Sequence, residues 1–176
     1  MSATESPCPT LDQVNLLDQA AFTALLGAIY EHSPWVAQRC WPLRPFSSLA
    51  ALQAALARVL DDASPEEQLA VMRAHPELTG KAAVRSDLTA DSRREQAGAG
   101  LDQCTPAQFA QLQAGNRDYG AKFGFPFIIA VKGLGRADIL AALQRRTQHS
   151  REQEITEALA QIHRIAAFRL QDKIAP

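Results

Sequence analysis

FGFPFIIAVKG, residues 123–133, decides the fold. Its aromatic and β-branched residues read as a strand rather than a helix, and no second stretch of the chain does so. A solitary strand leaves its N–H and C=O groups without a ladder. In an otherwise helical chain those groups must be met by side chains, by water or by a ligand. The sequence therefore predicts an all-α, single-domain bundle of roughly eight helices with one irregular extended segment near residues 125–131, a candidate ligand wall.

The flanking sequence supplies the helices. Thr105-Pro106-Ala107-Gln108 is a capping box with proline at the first helical position. It predicts a long helix carrying Phe109, Leu112, Asn116, Tyr119 and Phe123 on one face, weakened by Gly115 and Gly120. After the extended segment, Ile139 and Leu143 mark a further helix. Ser150 with Gln153 then caps the last one, along which Ile155, Leu159, Ile162 and Ala166 form an apolar stripe. Upstream, Leu17, Phe22, Leu25, Leu26 and Ile29 predict an amphipathic helix from Leu16 to Tyr30. A short helix from Trp35 to Trp41 is closed by Pro42 and Pro45, and Ser47 or Ser48 opens one that ends near Leu60. Ser64-Pro65-Glu66-Glu67 starts another that runs to about Ala74. Residues 1–10 read as a flexible tail and 11–176 as the helical domain.

HPELTGK, residues 75–81, interrupts this pattern. Pro76 disfavours the α conformation at His75, so the helix ends there with the imidazole at its negative pole, where the protonated form is favoured. Residues 78–90 read as a loop turned at Gly80. Thr89 or Asp91 then caps a helix containing SRREQ, residues 92–96, which Gly98-Ala99-Gly100 terminates.

Each candidate residue has a plainer alternative. His75 can be a core histidine bonded to a carbonyl, Glu77 and Lys81 a solvated pair, and Ser92 with Glu95 a capping box. Asn116 can make an interhelical hydrogen bond. Arg169 follows Ile162 by seven residues, which places it on the apolar side of the last helix, where it needs a partner unless its stem snorkels to water. The Gly80-Lys81 pair is not a phosphate loop, because His75 and Ala82 stand where glycine and Ser or Thr are required. Cys40 and Cys104 read as small hydrophobes.

Composition narrows the function. Eighteen Lys+Arg against 19 Asp+Glu leave a net charge of −1, without the positive field that nucleic acid requires. Three cysteines without CxxC spacing suggest neither a disulfide framework nor a zinc site, and four histidines at unsuitable spacings suggest no metal. The N-terminus lacks a secretory pattern, and no apolar run reaches the roughly 20 residues of a membrane span. The expected protein is cytoplasmic, with no membrane partner.

Taken together in order and spacing, HPELTGK, SRREQ and FGFPFIIAVKG resemble the 2-oxo-4-hydroxy-4-carboxy-5-ureidoimidazoline (OHCU) decarboxylases, and the similarity extends to EITEALAQIHRIAAFRL at residues 154–170. The resemblance implies a cofactor-free carboxy-lyase of urate breakdown, a homodimer, which turns OHCU into (S)-allantoin and CO2. It implies His75 as the catalytic histidine and Glu95 as its acidic partner. Pro76, Ser92, Arg93, Arg94 and Gln96 are implied substrate contacts. So are Phe127, Ile128, Ile129, Ala130 and Val131, which meet the substrate through backbone groups, and Arg169 as the substrate-binding arginine. Two other readings remain open from the residues: a non-catalytic helical adaptor that binds a partner protein, and a cofactor-free lyase or hydrolase acting on another ureido-ring compound.

Overall fold

The computed structural model describes residues 8–78 and 89–175. Among them run nine α-helices: α1 Leu11–Leu16, α2 Gln19–Leu26, α3 Trp35–Cys40, α4 Leu49–Asp61, α5 Pro65–Ala74, α6 Ala90–Gly98, α7 Pro106–Phe123, α8 Arg136–Arg146 and α9 Arg151–Lys173. Short 3-10 turns occupy Trp41–Leu43 and Leu101–Gln103. No strand occurs among the described residues, so the all-α class stands. The expected loop over 78–90, with Thr79, Gly80 and Lys81, lies almost wholly outside the described residues. No helix described is long and apolar enough to cross a membrane. The chain divides into two compact units, Met1–Gln68 with Ile165–Pro176 and Leu69–Arg164.

In the first unit the helix predicted from Leu16 to Tyr30 begins only at Gln19 and ends at Leu26, and a separate helix, α1, precedes it where none was predicted. The Asp18 carboxylate accepts the Ala21 N–H at 2.8 Å and so opens α2 afresh, while Leu17 is extended. Arg44 takes up the freed carbonyls, donating to Asn15 and Leu17, and its guanidinium lies 4.3 Å from the Trp41 ring centroid. Residues 8–10 are held as well: Thr10 closes a capping box with Gln13, and the Pro9 carbonyl accepts the Ala175 N–H at 2.9 Å. Ser48 caps α4, whose Leu52, Leu56 and Leu60 recur every fourth residue and are buried. Burial pushes the Cys40 thiol up to about 12, which makes it the inert small hydrophobe expected of it.

The second unit is organised around an aromatic cluster. Tyr119 of α7 meets Phe123, Phe125 and Phe127 at centroid distances of 4.6, 5.9 and 5.3 Å. Gly124 ends α7 in the left-handed region with φ of 80°, which favours glycine, and its carbonyl accepts from Arg73 at 2.9 Å. The first half of α9 buries Glu154, Ala158, Gln161 and Ile162, whereas Ile155 and Leu159 are half-exposed. The predicted stripe is therefore out of register by one residue at its start, because Glu154 is drawn inward by charge.

Gly115 and Gly120, both read as weak points of α7, differ in kind. A Cβ on Gly115 would stand 2.4 Å from Leu143 Cδ2, so this glycine lets α8 approach closely. A Cβ on Gly120 would meet nothing within 4 Å. Urea unfolding is expected to show Gly120→Ala raising stability by about 1 kcal/mol through helix propensity. Gly115→Ala is expected to lower it by about 1–2 kcal/mol, because overpacking a buried leucine outweighs that gain.

Candidate functional site

The extended segment obtains from side chains what a neighbouring strand would supply. Arg146, 2% exposed at the end of α8, donates from Nη1 to the Ile128 carbonyl at 2.7 Å. From α9, Gln161 Oε1 accepts the Ala130 N–H at 2.9 Å. Arg146 lies over the Phe127 ring at 4.7 Å and donates from Nε to Glu154 Oε1 at 2.7 Å. Glu154 is fully buried, and it also accepts from Tyr119 Oη at 2.5 Å and faces His149 Nδ1 across 2.8 Å. Burial first, and this carboxylate second, hold the Tyr119 phenol well above its ordinary range, so it stays a donor. Phe127, Ile128, Ile129, Ala130 and Val131 are all buried.

His75 sits at the end of α5, 7% exposed, with Nδ1 2.9 Å from the Val71 carbonyl. A carbonyl can only accept, so Nδ1 carries hydrogen and the imidazole changes its charge at Nε2. The plainer reading of His75, a ring that satisfies a carbonyl, is thus true of one nitrogen and leaves the chemistry of the other untouched. Three residues on, the Leu78 carbonyl accepts from Asn116 Nδ2 at 2.8 Å. Asn116 therefore holds the backbone just after the histidine. Pro76 is half-buried and Glu77 exposed.

Helix α6 presents an unusual inner face. Its buried residues are Ser92 and Gln96, both polar, with Glu95 half-buried beside them. Thr89 is the N-cap, and its side chain accepts the Ser92 N–H. Ser92 is consequently the third residue of the helix rather than its cap, and the capping-box alternative for Ser92 and Glu95 falls. Arg93 and Arg94 are exposed, and Arg94 pairs with Asp91.

Arg169 belongs to the other unit. It is 4% exposed and pairs with Glu31 Oε2 at 2.7 Å, which excludes the snorkelling alternative. Glu31, itself buried, precedes His32, whose φ of 48° is strained for a residue with a side chain. A strained backbone beside a buried ion pair marks a turn over-determined by its surroundings.

Sequence reasoning missed Arg146, Glu154, Gln161 and Glu31. Arg145-Arg146 reads as the cationic end of one helix and Glu152 and Glu154 as the acidic start of the next, both ordinary surface assignments. The one usable signal was the lone extended segment itself, which demands donors and acceptors from somewhere.

The comparisons with known proteins agree over nearly the whole chain. A family model described as OHCU decarboxylase matches residues 15–171. The 2-oxo-4-hydroxy-4-carboxy-5-ureidoimidazoline decarboxylase of Haloferax volcanii is 45% identical over 94% of this chain and 96% of that protein. The protein of the same description from Halalkalicoccus jeotgali is 44% identical over 95% and 93%. A crystal structure of (S)-allantoin synthase superposes with a TM-score of 0.79 at 31% identity, covering 95% of this chain and 54% of that one. The present chain thus spans about half of that crystallised protein.

The buried charges give a direct test of the geometry. Removing one partner of a buried ion pair leaves the other uncompensated, at a cost of about 3–5 kcal/mol. Glu154→Gln is expected to lose about that much in chemical denaturation, whereas Arg94→Gln, at an exposed pair, is expected to change stability by less than about 1 kcal/mol. Equal effects of the two would show that Glu154 is not the neutralising partner of Arg146.

Proposed function

The chain belongs to the OHCU decarboxylase family, and we propose on that premise that it is a carboxy-lyase of urate degradation, converting OHCU into (S)-allantoin and CO2. The observation that carries this reading is the inner face of α6, which buries Ser92 and Gln96 beside Glu95 in the same unit as His75 and the segment 127–131. An ordinary amphipathic helix buries apolar residues, since burying polar groups is costly unless they are bonded. Polar side chains turned inward beside a histidine are the kind of groups that fix the orientation of a small polar ligand, which favours an enzyme over a simple adaptor.

Heterolysis of the C–C bond releases CO2 and leaves an electron pair at the ring carbon, which the conjugated C=N and carbonyl groups of the substrate take up. The hydroxyl left on that carbon becomes the carbonyl of allantoin as it loses its proton, and one proton must be delivered to one face of the adjacent, ureido-bearing carbon. His75, fixed as an Nδ1 donor to Val71, exchanges its proton at Nε2, and Glu95 stabilises the imidazolium. Pro76, Ser92, Gln96 and the backbone of Phe127, Ile128, Ile129, Ala130 and Val131 orient the oxygen-rich ring. The resemblance assigns the substrate's negative charge to Arg169, which pairs with Glu31, and the exposed Arg93 and Arg94 contribute attraction from the surface of α6. No resident cofactor or metal enters this scheme. Residues 11–176 act as one helical domain, and the working protein is a cytoplasmic homodimer, as the resemblance implies.

Freshly generated substrate, followed by CO2 release and by the optical activity of the product after subtraction of spontaneous decay, tests the reading. General acid–base catalysis contributes about 10²–10⁴-fold, so His75→Ala is expected to lower kcat/KM by about 100-fold or more and to yield nearly racemic allantoin. Glu95→Gln is expected to lower kcat strongly while retaining the helical circular dichroism of the parent. Unchanged rate and enantiomeric excess in both variants would contradict the assignment. Turnover of a different ureido-ring compound in preference to OHCU would redirect it.

A further inference from the structure

A planar trans peptide points its C=O and its N–H in opposite directions. Arg146 holds the Ile128 carbonyl and Gln161 the Ala130 N–H, from two different helices. These two bonds fix the two peptide planes on either side of Ile129, so that the Ile129 N–H is turned away from Arg146 and the Ile129 carbonyl away from Gln161.

Gln161 is built for this. The residue is 8% exposed, and its Nε2 donates to Glu157 Oε1 at 2.7 Å, one helical turn back along α9. A carboxylate on the amide N–H polarises the group and makes Oε1 a better acceptor for Ala130. It also fixes which end of the carboxamide faces the wall. Arg146 is the stronger anchor, but it carries the buried ion pair and serves stability too. Gln161 is uncharged and takes no part in that ion pair.

We infer that Gln161, oriented by Glu157, is a positioning residue of the reaction: by anchoring Ala130 it sets the direction of the Ile129 peptide groups, and with them the pose and handedness of substrate protonation. This inference rests on the reading that residues 127–131 meet the substrate.

The experiment compares the full-length parent with Gln161→Leu and with the exchange Glu157→Gln/Gln161→Glu. The exchange keeps both an acceptor for Ala130 and the bond between positions 157 and 161. Loss of one hydrogen bond is worth about a 10-fold effect. Gln161→Leu is expected to raise KM by about that factor and to lower the enantiomeric excess, with kcat changed less; the exchange is expected to restore both. A folded Gln161→Leu with parental KM and enantiomeric excess, or a folded exchange variant that restores neither, overturns the inference. Should Gln161→Leu not fold, Glu157→Ala serves instead, with a rise in KM of about 3-fold expected and an unchanged KM contradicting it. Failure of the decarboxylase reading itself shows separately, as a parent that does not turn over OHCU. The clamp is then judged by hydrogen exchange at the Ala130 amide, which must quicken in Gln161→Leu and slow again in the exchange variant; an unchanged rate overturns it.

Discussion

The hydrogen bond from Arg146 to the Ile128 carbonyl is the constraint around which the second unit is arranged. A buried segment outside any helix carries peptide groups that cannot be left unpaired, and among the described residues no strand serves them. A guanidinium answers with several donors in a rigid fork, but its charge must then be neutralised in the interior. Glu154 does so, Tyr119 and His149 occupy the rest of that carboxylate's reach, and the Phe127 ring lies against the cation. Four elements of the chain are tied to one carboxylate. The register of α9 follows from it, since turning Glu154 inward moves Ile155 and Leu159 toward the surface.

The same arrangement prepares chemistry. A wall whose carbonyls and amides are anchored from behind presents fixed dipoles, and preorganised dipoles cost nothing to reorient when charge develops. At the end of α5 the Val71 carbonyl fixes the tautomer of His75, and Asn116 holds the backbone three residues further on. In the proposed reaction, placement of a proton on one face depends on both. Decarboxylation draws its driving force from the conjugation of the substrate, so what the protein contributes is orientation and proton control.

How much of this was legible in the sequence varies with the kind of signal. Caps were read residue by residue: Thr105 with Gln108, Ser64 with Glu67, Ser150 with Gln153, Ser48 and Thr89 all act as their spacing indicated. These are local interactions, and local sequence contains them. Helix α1 was missed and the next helix was started too early, at Leu16, because Leu17 fits the apolar repeat, while Asp18, Arg44 and Trp41 set the actual break through capping and contacts more than twenty residues apart. The candidate site divides in the same way. His75 stood out because Pro76 stiffens its junction, and the extended segment because it was alone. Arg146, Glu154, Gln161 and Glu31 did not, since a charged or amide side chain near a helix end looks the same in sequence whether it faces water or a buried carbonyl.

Amide hydrogen exchange along residues 125–131 in Arg146→Met/Glu154→Met tests the central claim most directly, because replacing both charges with apolar residues of similar size leaves no buried ion unpaired. With the Ile128 carbonyl released, the Ala130 amide is expected to exchange at least about tenfold faster than in the parent, while amides in the middle of α7 and α9 keep their protection. An Ala130 amide as protected as before, in a double variant that folds, would show that the wall does not depend on Arg146.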